Sequence, residues 1–155
     1  MLSCFARICR SPLAEGVVRC LADRAGLGAF LEVDSAGTLA YHAGEQPDPR
    51  ARKVATSRGY DLSKMRARRV AEDDFSHFDL VLAMDRQNLA ALERVCPEEH
   101  LHKLRLFMEY AQDCEEDEIP DPYYGGPDGF ERVLDLCEAA ARGLIASIAG
   151  RKGGR

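Results

Sequence analysis

Asp79-Leu80-Val81-Leu82-Ala83-Met84 is the stretch on which the fold turns. Consecutive apolar residues, with no polar alternation, are the pattern of a strand covered on both faces, as in a parallel sheet. Helices must then lie above and below it, and the flanking sequence supplies them. Residues 12–25 carry Leu13, Val17 and Leu21 at four-residue spacing and stop at Gly26, which predicts a helix. Residues 30–34 read as a short strand. Residues 48–58 read as a helix capped by Asp48, with Pro49 in its first turn and Gly59 just past its end. Beyond the 79–84 strand, residues 86–95 read as a helix, 103–107 as a strand and 112–127 as a loop. A last helix opens near Gly129, with Val133, Leu134, Cys137, Ala140, Ala141, Leu144, Ile145 and Ile148 as a broad apolar stripe, and 150–155 reads as a flexible tail. Strands alternating with helices predict the α/β class. The expected architecture is one domain over residues 1–149, a doubly wound three-layer sandwich with a four-stranded parallel sheet and a ligand at the carboxyl ends of the strands.

Composition narrows the function classes. A chain of 155 residues is long enough to bury roughly 68–70% of its unfolded surface as a single domain. A formal charge of −5 and a pI of about 5.4 argue against a nucleic-acid partner. The basic stretches 50–58 and 64–69 and the acidic run Glu115-Glu116-Asp117-Glu118 read as solvated faces. No apolar run approaches the roughly eighteen residues that span a bilayer, and no secretory signal is recognisable, so a membrane partner is not expected. His100-Leu101-His102 has no carboxylate or cysteine cluster to complete a tetrahedral set, so neither a metal nor another cofactor is expected. His77 reads as packing or terminating the segment before the apolar strand, and Cys20 and Cys137 as helical core residues.

The chemistry is concentrated at the N-terminus, in Cys4-Phe5-Ala6-Arg7-Ile8-Cys9-Arg10-Ser11-Pro12. A loop over Phe5, Ala6, Arg7, Ile8, Cys9 and Arg10 that turns its N–H groups inward makes an anion cradle, and the helix at its end adds the positive end of its dipole. The same field favours thiolate at Cys4, lowering a pKa ordinarily about 8.5. Arg10 offers a planar fork of donors for phosphoryl oxygens. Ser11 can donate to the sulfur, and Pro12 fits the first helical turn, where its missing N–H costs nothing.

A second element lies far downstream, in Ile119-Pro120-Asp121-Pro122-Tyr123-Tyr124-Gly125-Gly126. An aspartate between two prolines is also an ordinary turn former. Phosphoryl transfer to sulfur, however, needs an acid for the departing oxygen and then a base for the attacking water, and one carboxyl can do both. The cysteine loop makes that the preferred reading of Asp121.

On these residues the chain resembles the low-molecular-weight protein tyrosine phosphatases. The matching segments are residues 4–15, Val33-Asp34-Ser35-Ala36-Gly37-Thr38, 78–89 with Met84-Asp85, and 120–131, in the family's order from Cys4 to about Ile148. The resemblance implies Cys4 as nucleophile, Arg10 as phosphate ligand, Asp121 as general acid, and Ser11 and Ser35 in stabilising the thiolate. It implies Phe5, Tyr41, Tyr123 and Tyr124 as walls of a phosphotyrosine slot, and Cys9 as a second cysteine able to trap an oxidised Cys4 in a reversible disulfide. It implies a phosphotyrosine-containing protein as partner, in bacterial relatives often a tyrosine kinase of polysaccharide export, and a monomer or weak dimer. A catalytic thiolate needs a reducing compartment, so a cytoplasmic enzyme is expected.

Three departures accompany the resemblance. Only Met1-Leu2-Ser3 precede Cys4, roughly 10 Å of strand where 17–20 Å is usual, which predicts a truncated first strand and a weakened sheet centre. Ala6 and Arg7 stand where the family carries glycine and asparagine, and a left-handed non-glycine residue costs roughly 1–2 kcal/mol. Met65 stands near the place of the family's histidine, thinning the hydrogen-bond support of the loop. Activity below that of a typical member is expected. The competing readings are a phosphotyrosine-binding pseudophosphatase, a protein arginine phosphatase, whose loop usually carries threonine at the place of Ile8, and an arsenate reductase, which needs relay cysteines in a closer pair.

Overall fold

The computed structural model describes residues 2–4, 10–37, 44–122 and 127–153. In chain order the elements are β1 (Leu2–Cys4), α1 (Arg10–Arg24), β2 (Ser35–Gly37), α2 (Pro49–Ser57), α3 (Glu72–His77), β3 (Val81–Ala83), α4 (Arg86–Val95), β4 (Leu104–Leu106) and α5 (Pro127–Gly153). Short 3-10 turns over Glu98–Lys103 and Phe107–Tyr110 flank β4. Among the described residues the strands form one parallel sheet in the order β2-β1-β3-β4.

The uninterrupted apolar run does what its composition requires. Val81 and Ala83 pack on one face with Phe75, Phe78, Leu92, Leu104 and Leu106, beneath α3 and α4. Leu82 and Met84 project to the other face, into a larger core with Leu13, Val17, Phe130 and Leu134 from α1 and α5. The sheet is therefore covered on both sides, giving three layers. α5 comes so close to the Phe107–Tyr110 turn that a Cβ at Gly143 would collide with the Tyr110 carbonyl, so only glycine permits that approach. α2 is capped as its sequence predicts, Asp48 accepting from the Arg50 N–H at 2.8 Å, and Gly59 follows it with φ +86°.

Several boundaries differ from the sequence reading. The strand expected at 30–34 lies instead at Ser35–Gly37. Phe30 is 69% exposed in a turn whose N–H groups at Phe30 and Leu31 both bond the Leu27 carbonyl, at 2.9 and 3.1 Å. Closing α1 takes the residues that local strand propensity would have used, and pairing with β1 selects the next three. Gly37 also exchanges backbone bonds with residues 68 and 70, both at 2.8 Å, which covers that edge of the sheet. α1 begins at Arg10, two residues before the expected start, with Pro12 still in its first turn. The strands expected at 79–84 and 103–107 shorten to three residues each. β1 is also three residues long, equal to its partners, and pairs on both sides, with Leu2 opposite Ser35 and Leu82. α5 starts at Pro127 and runs to Gly153, through most of the expected tail. α3 went unread because Phe75 is its one buried residue; its polar start is held by Asp74, which accepts from the Ala71 N–H at 2.8 Å.

Charged stretches expected to be merely solvated are tied down. Arg58 bonds Glu131, Asp135 and Glu138 of α5, and Arg68 bonds Asp34 and Asp74. Arg86 bonds Asp117 and Glu118, and Arg132 bonds Glu116. His77 ends α3, packs edge-on against Phe78 and contacts Glu32 at 2.7 Å. Cys137 is fully buried and Cys20 half-buried, both in the larger core.

Candidate active site

In an open parallel sheet, ligands bind at the carboxyl ends of the strands where the strand order reverses. Here that crevice lies between β1, which ends at Cys4, and β3, which is followed by Asp85. The loop positions Phe5, Ala6, Arg7, Ile8 and Cys9 and the expected pocket residues Tyr41, Tyr123 and Tyr124 lie outside the described residues, and Cys4 is described through its backbone alone.

Arg10 opens α1 and is 2% exposed. A buried guanidinium must be paired and hydrogen-bonded, and one terminal nitrogen donates at 2.7 Å to both Asp85 Oδ2 and the Ile119 carbonyl. Asp85 has a second duty, because its Oδ1 accepts from the Asn88 N–H at 2.7 Å and caps α4. The Ile119 N–H in turn donates to the Met84 carbonyl at 2.8 Å. Arg10 thus locks the start of α1, the β3–α4 corner and the acid-bearing segment to one another. Two residues beyond Ile119 stands Asp121, exposed between Pro120 and the buried Pro122.

Between β2 and α1, the Ser35 hydroxyl at the start of β2 donates to Glu15 Oε2. Glu15 is 4% exposed, and its other oxygen accepts from Arg19 Nε at 2.8 Å. A hydroxyl has one proton to give, and here Ser35 gives it to Glu15, which ties the start of β2 to α1. Ser11 is buried in the first turn of α1. Met65 is half-buried against the larger core and, with Leu62, lies over Gly16 of α1, supplying packing where a histidine would supply hydrogen bonds.

The acid-bearing segment is also gripped from outside. Arg86 donates to Asp117 at 2.6 Å and Glu118 at 3.3 Å, and its backbone N–H donates to Glu118 Oε1 at 3.1 Å. The hydrogen bond from Arg86 holds the Asp117 carboxyl below the usual aspartate range. Among the described residues no cluster of three or more His, Cys, Asp or Glu is arranged to hold a metal, and no helix is long and apolar enough to cross a membrane.

Sequence reasoning brought Cys4, Arg10, Ser11 and Asp121 forward as site residues but not Glu15, Asp85 or Ile119. Asp85 carries a detectable signal, an N-cap position three residues before Asn88. Glu15 and the Ile119 carbonyl carry none, since a helix carboxylate and a backbone oxygen look alike wherever they occur.

Known proteins match this arrangement along its whole length. The family described as low molecular weight phosphotyrosine protein phosphatase matches residues 1–152. The low molecular weight protein-tyrosine-phosphatase of Streptomyces coelicolor is 45% identical over 155 residues, covering 98% of this chain and 94% of that one. The Homo sapiens low molecular weight phosphotyrosine protein phosphatase is 34% identical over 143 residues, covering 92% of this chain and 90% of its own. Among solved structures, the protein tyrosine phosphatase from Entamoeba histolytica with Hepes in the active site superposes with a TM-score of 0.93 at 40% identity, covering 97% of this chain and 96% of that one.

Proposed function

Because the chain belongs to the low-molecular-weight phosphotyrosine protein phosphatase family and is a protein tyrosine phosphatase, we propose that Cys4, Arg10 and Asp121 carry its catalysis. The Cys4 thiolate attacks phosphorus, and the S–P bond forms as the bond from phosphorus to the tyrosine oxygen breaks. The Asp121 carboxyl delivers its proton to that oxygen. The resulting carboxylate takes a proton from water as the water oxygen attacks the phosphocysteine. Phosphate leaves, and the thiolate and the protonated acid are restored. The Arg10 fork and the loop N–H groups hold the equatorial oxygens, whose charge is spread in the transition state, and Ser11 donates to the sulfur.

The observation that carries this reading is the double anchorage of Arg10, which joins the nucleophile's helix to the acid's segment across the crevice. Hydrolysis of para-nitrophenyl phosphate tests it. Cys4→Ser should abolish turnover, and Arg10→Lys, which keeps the charge and loses the fork, should remove most of it. Alkylation of Cys4 near neutral pH should be rapid and blocked by phosphate or vanadate. Full turnover by Cys4→Ser would overturn the assignment.

The finer features belong to the same proposal. Phe5, Tyr41, Tyr123 and Tyr124 wall the phosphotyrosine slot, and a phosphorylated tyrosine kinase is the partner that the resemblance favours. A peroxide would oxidise Cys4 to the sulfenic acid, and attack by the Cys9 thiol would release water and leave a protective disulfide. Because the thiolate needs reducing surroundings, we assign the protein to the cytoplasm, as a monomer or weak dimer. Ala6 and Arg7 lower its turnover relative to a chain carrying glycine and asparagine there, and the double reversion measures by how much.

A further inference from the structure

From Glu116 to Ile119, the acidic run leading to Asp121 is anchored at each residue. Glu116 pairs with Arg132 of α5. Asp117 takes the Arg86 guanidinium at 2.6 Å. Glu118 takes both the Arg86 guanidinium, at 3.3 Å, and the first N–H of α4, at 3.1 Å, so that a carboxylate sits at the positive end of the helix. Ile119, wholly buried, closes the series with backbone bonds to Met84 and Arg10. Asp121 follows two residues later, within roughly 7 Å of extended chain, too short a tether to move independently of its anchor.

Arg86 is 59% exposed at its side chain, and its guanidinium bonds Asp117 and Glu118, the outer part of the segment, rather than the Asp85 carboxylate or Ile119 carbonyl that hold Arg10. Exposed pairs add little to global stability, and the buried Ile119 already holds the segment to the sheet. What the outer grip adds is a second point of attachment, at the N-terminus of α4, just before the chain passes through Pro120 to Asp121.

We propose that Arg86 is a positioning residue, which through Asp117 and Glu118 sets the reach of the Asp121 carboxyl to the leaving-group oxygen. This rests on the reading of Asp121 as the acid. A proton donor matters most when the departing oxygen is strongly basic, so misplacing the donor should slow a poor leaving group more than a good one. A loss of folded protein or of phosphate binding would slow both alike.

The test compares kcat/KM on phenyl phosphate, a poor leaving group resembling tyrosine, with para-nitrophenyl phosphate, a good one. Arg86→Ala should lose about three- to fivefold on phenyl phosphate, as expected for an exposed network, and clearly less on the nitrophenyl ester, with an unchanged melting temperature. Arg86→Lys should recover part of the loss, and about 1 M salt should reproduce it in the native chain by screening. In an Asp121→Asn background, Arg86→Ala should add nothing. Equal losses on both substrates, an undiminished loss in that background, or no loss at all would overturn the role of Arg86. If Asp121→Asn itself leaves phenyl phosphate turnover unchanged, the acid assignment fails, and that result is read without any Arg86 variant.

Discussion

Arg10 and Arg58 each hold distant parts of the chain together, and they do it under opposite conditions. Arg10 is buried at the crevice, where its partners include the Asp85 carboxylate and the Ile119 carbonyl. Arg58 sits at the C-cap of α2 with its side chain 27% exposed and gathers three carboxylates of α5, Glu131 at 2.6 Å, Asp135 at 2.7 Å and Glu138 at 3.4 Å. The more exposed cluster is the less consequential one. In water the separated ions are well solvated, so pairing them gains little; in the interior an orphaned charge has no solvent to return to. Burial is therefore the better guide to the importance of such a pair.

The largest effect is expected at the buried end. Asp85→Ala takes a carboxylate from the buried Arg10 and the cap from α4, and should cost about 3–5 kcal/mol of unfolding free energy in urea, together with most of the phosphatase activity. A loss below about 1 kcal/mol would break the contrast with Arg58. Ser35→Ala comes next. It strips a hydrogen bond from the buried Glu15 and should cost about 1–3 kcal/mol, with Ser35→Thr recovering part of it.

Arg58→Ala should cost about 1 kcal/mol after allowance for solvent screening, and the difference from the native chain should shrink as salt rises from about 0.1 to 1 M. The Asp85→Ala deficit should persist at both salt concentrations, because ions do not screen an interior pair. A pH dependence confined to the alkaline range arises at the same surface. The Tyr60 hydroxyl, buried and donating to Glu138 at 2.9 Å, is pushed up to about 12 by burial first and by that carboxylate second. An unfolded tyrosine titrates at about 10, so the folded state keeps a proton that the unfolded chain gives up. The contribution is intact below about pH 10 and is lost as pH rises through about 12. Stability measured across that window should fall, and Tyr60→Phe should flatten the slope.

Legibility in the sequence followed range of interaction. The helix at 86–95 was readable to the residue because Asp85 caps it and its periodicity is local. α2 was equally plain, with Asp48, Pro49 and Gly59 as punctuation. The strand near residue 30 was not, because Phe30-Leu31-Glu32-Val33 has strand propensity and the choice of Ser35–Gly37 belongs to β1's register. The ties of the acidic run were not legible either: it is the exposed loop its charges suggest, but Asp117 and Glu118 are met by Arg86, 31 and 32 positions earlier.

By itself the sequence determined the doubly covered strand and the helices that cover it, since dihedral limits, caps and apolar spacing act within a few residues. The tertiary structure alone decided which groups hold Arg10. Asp85 lies 75 positions away and Ile119 109 away, and they meet Arg10 because the sheet order sets β1 beside β3. Burial then obliges that charge to accept the partners the topology brings.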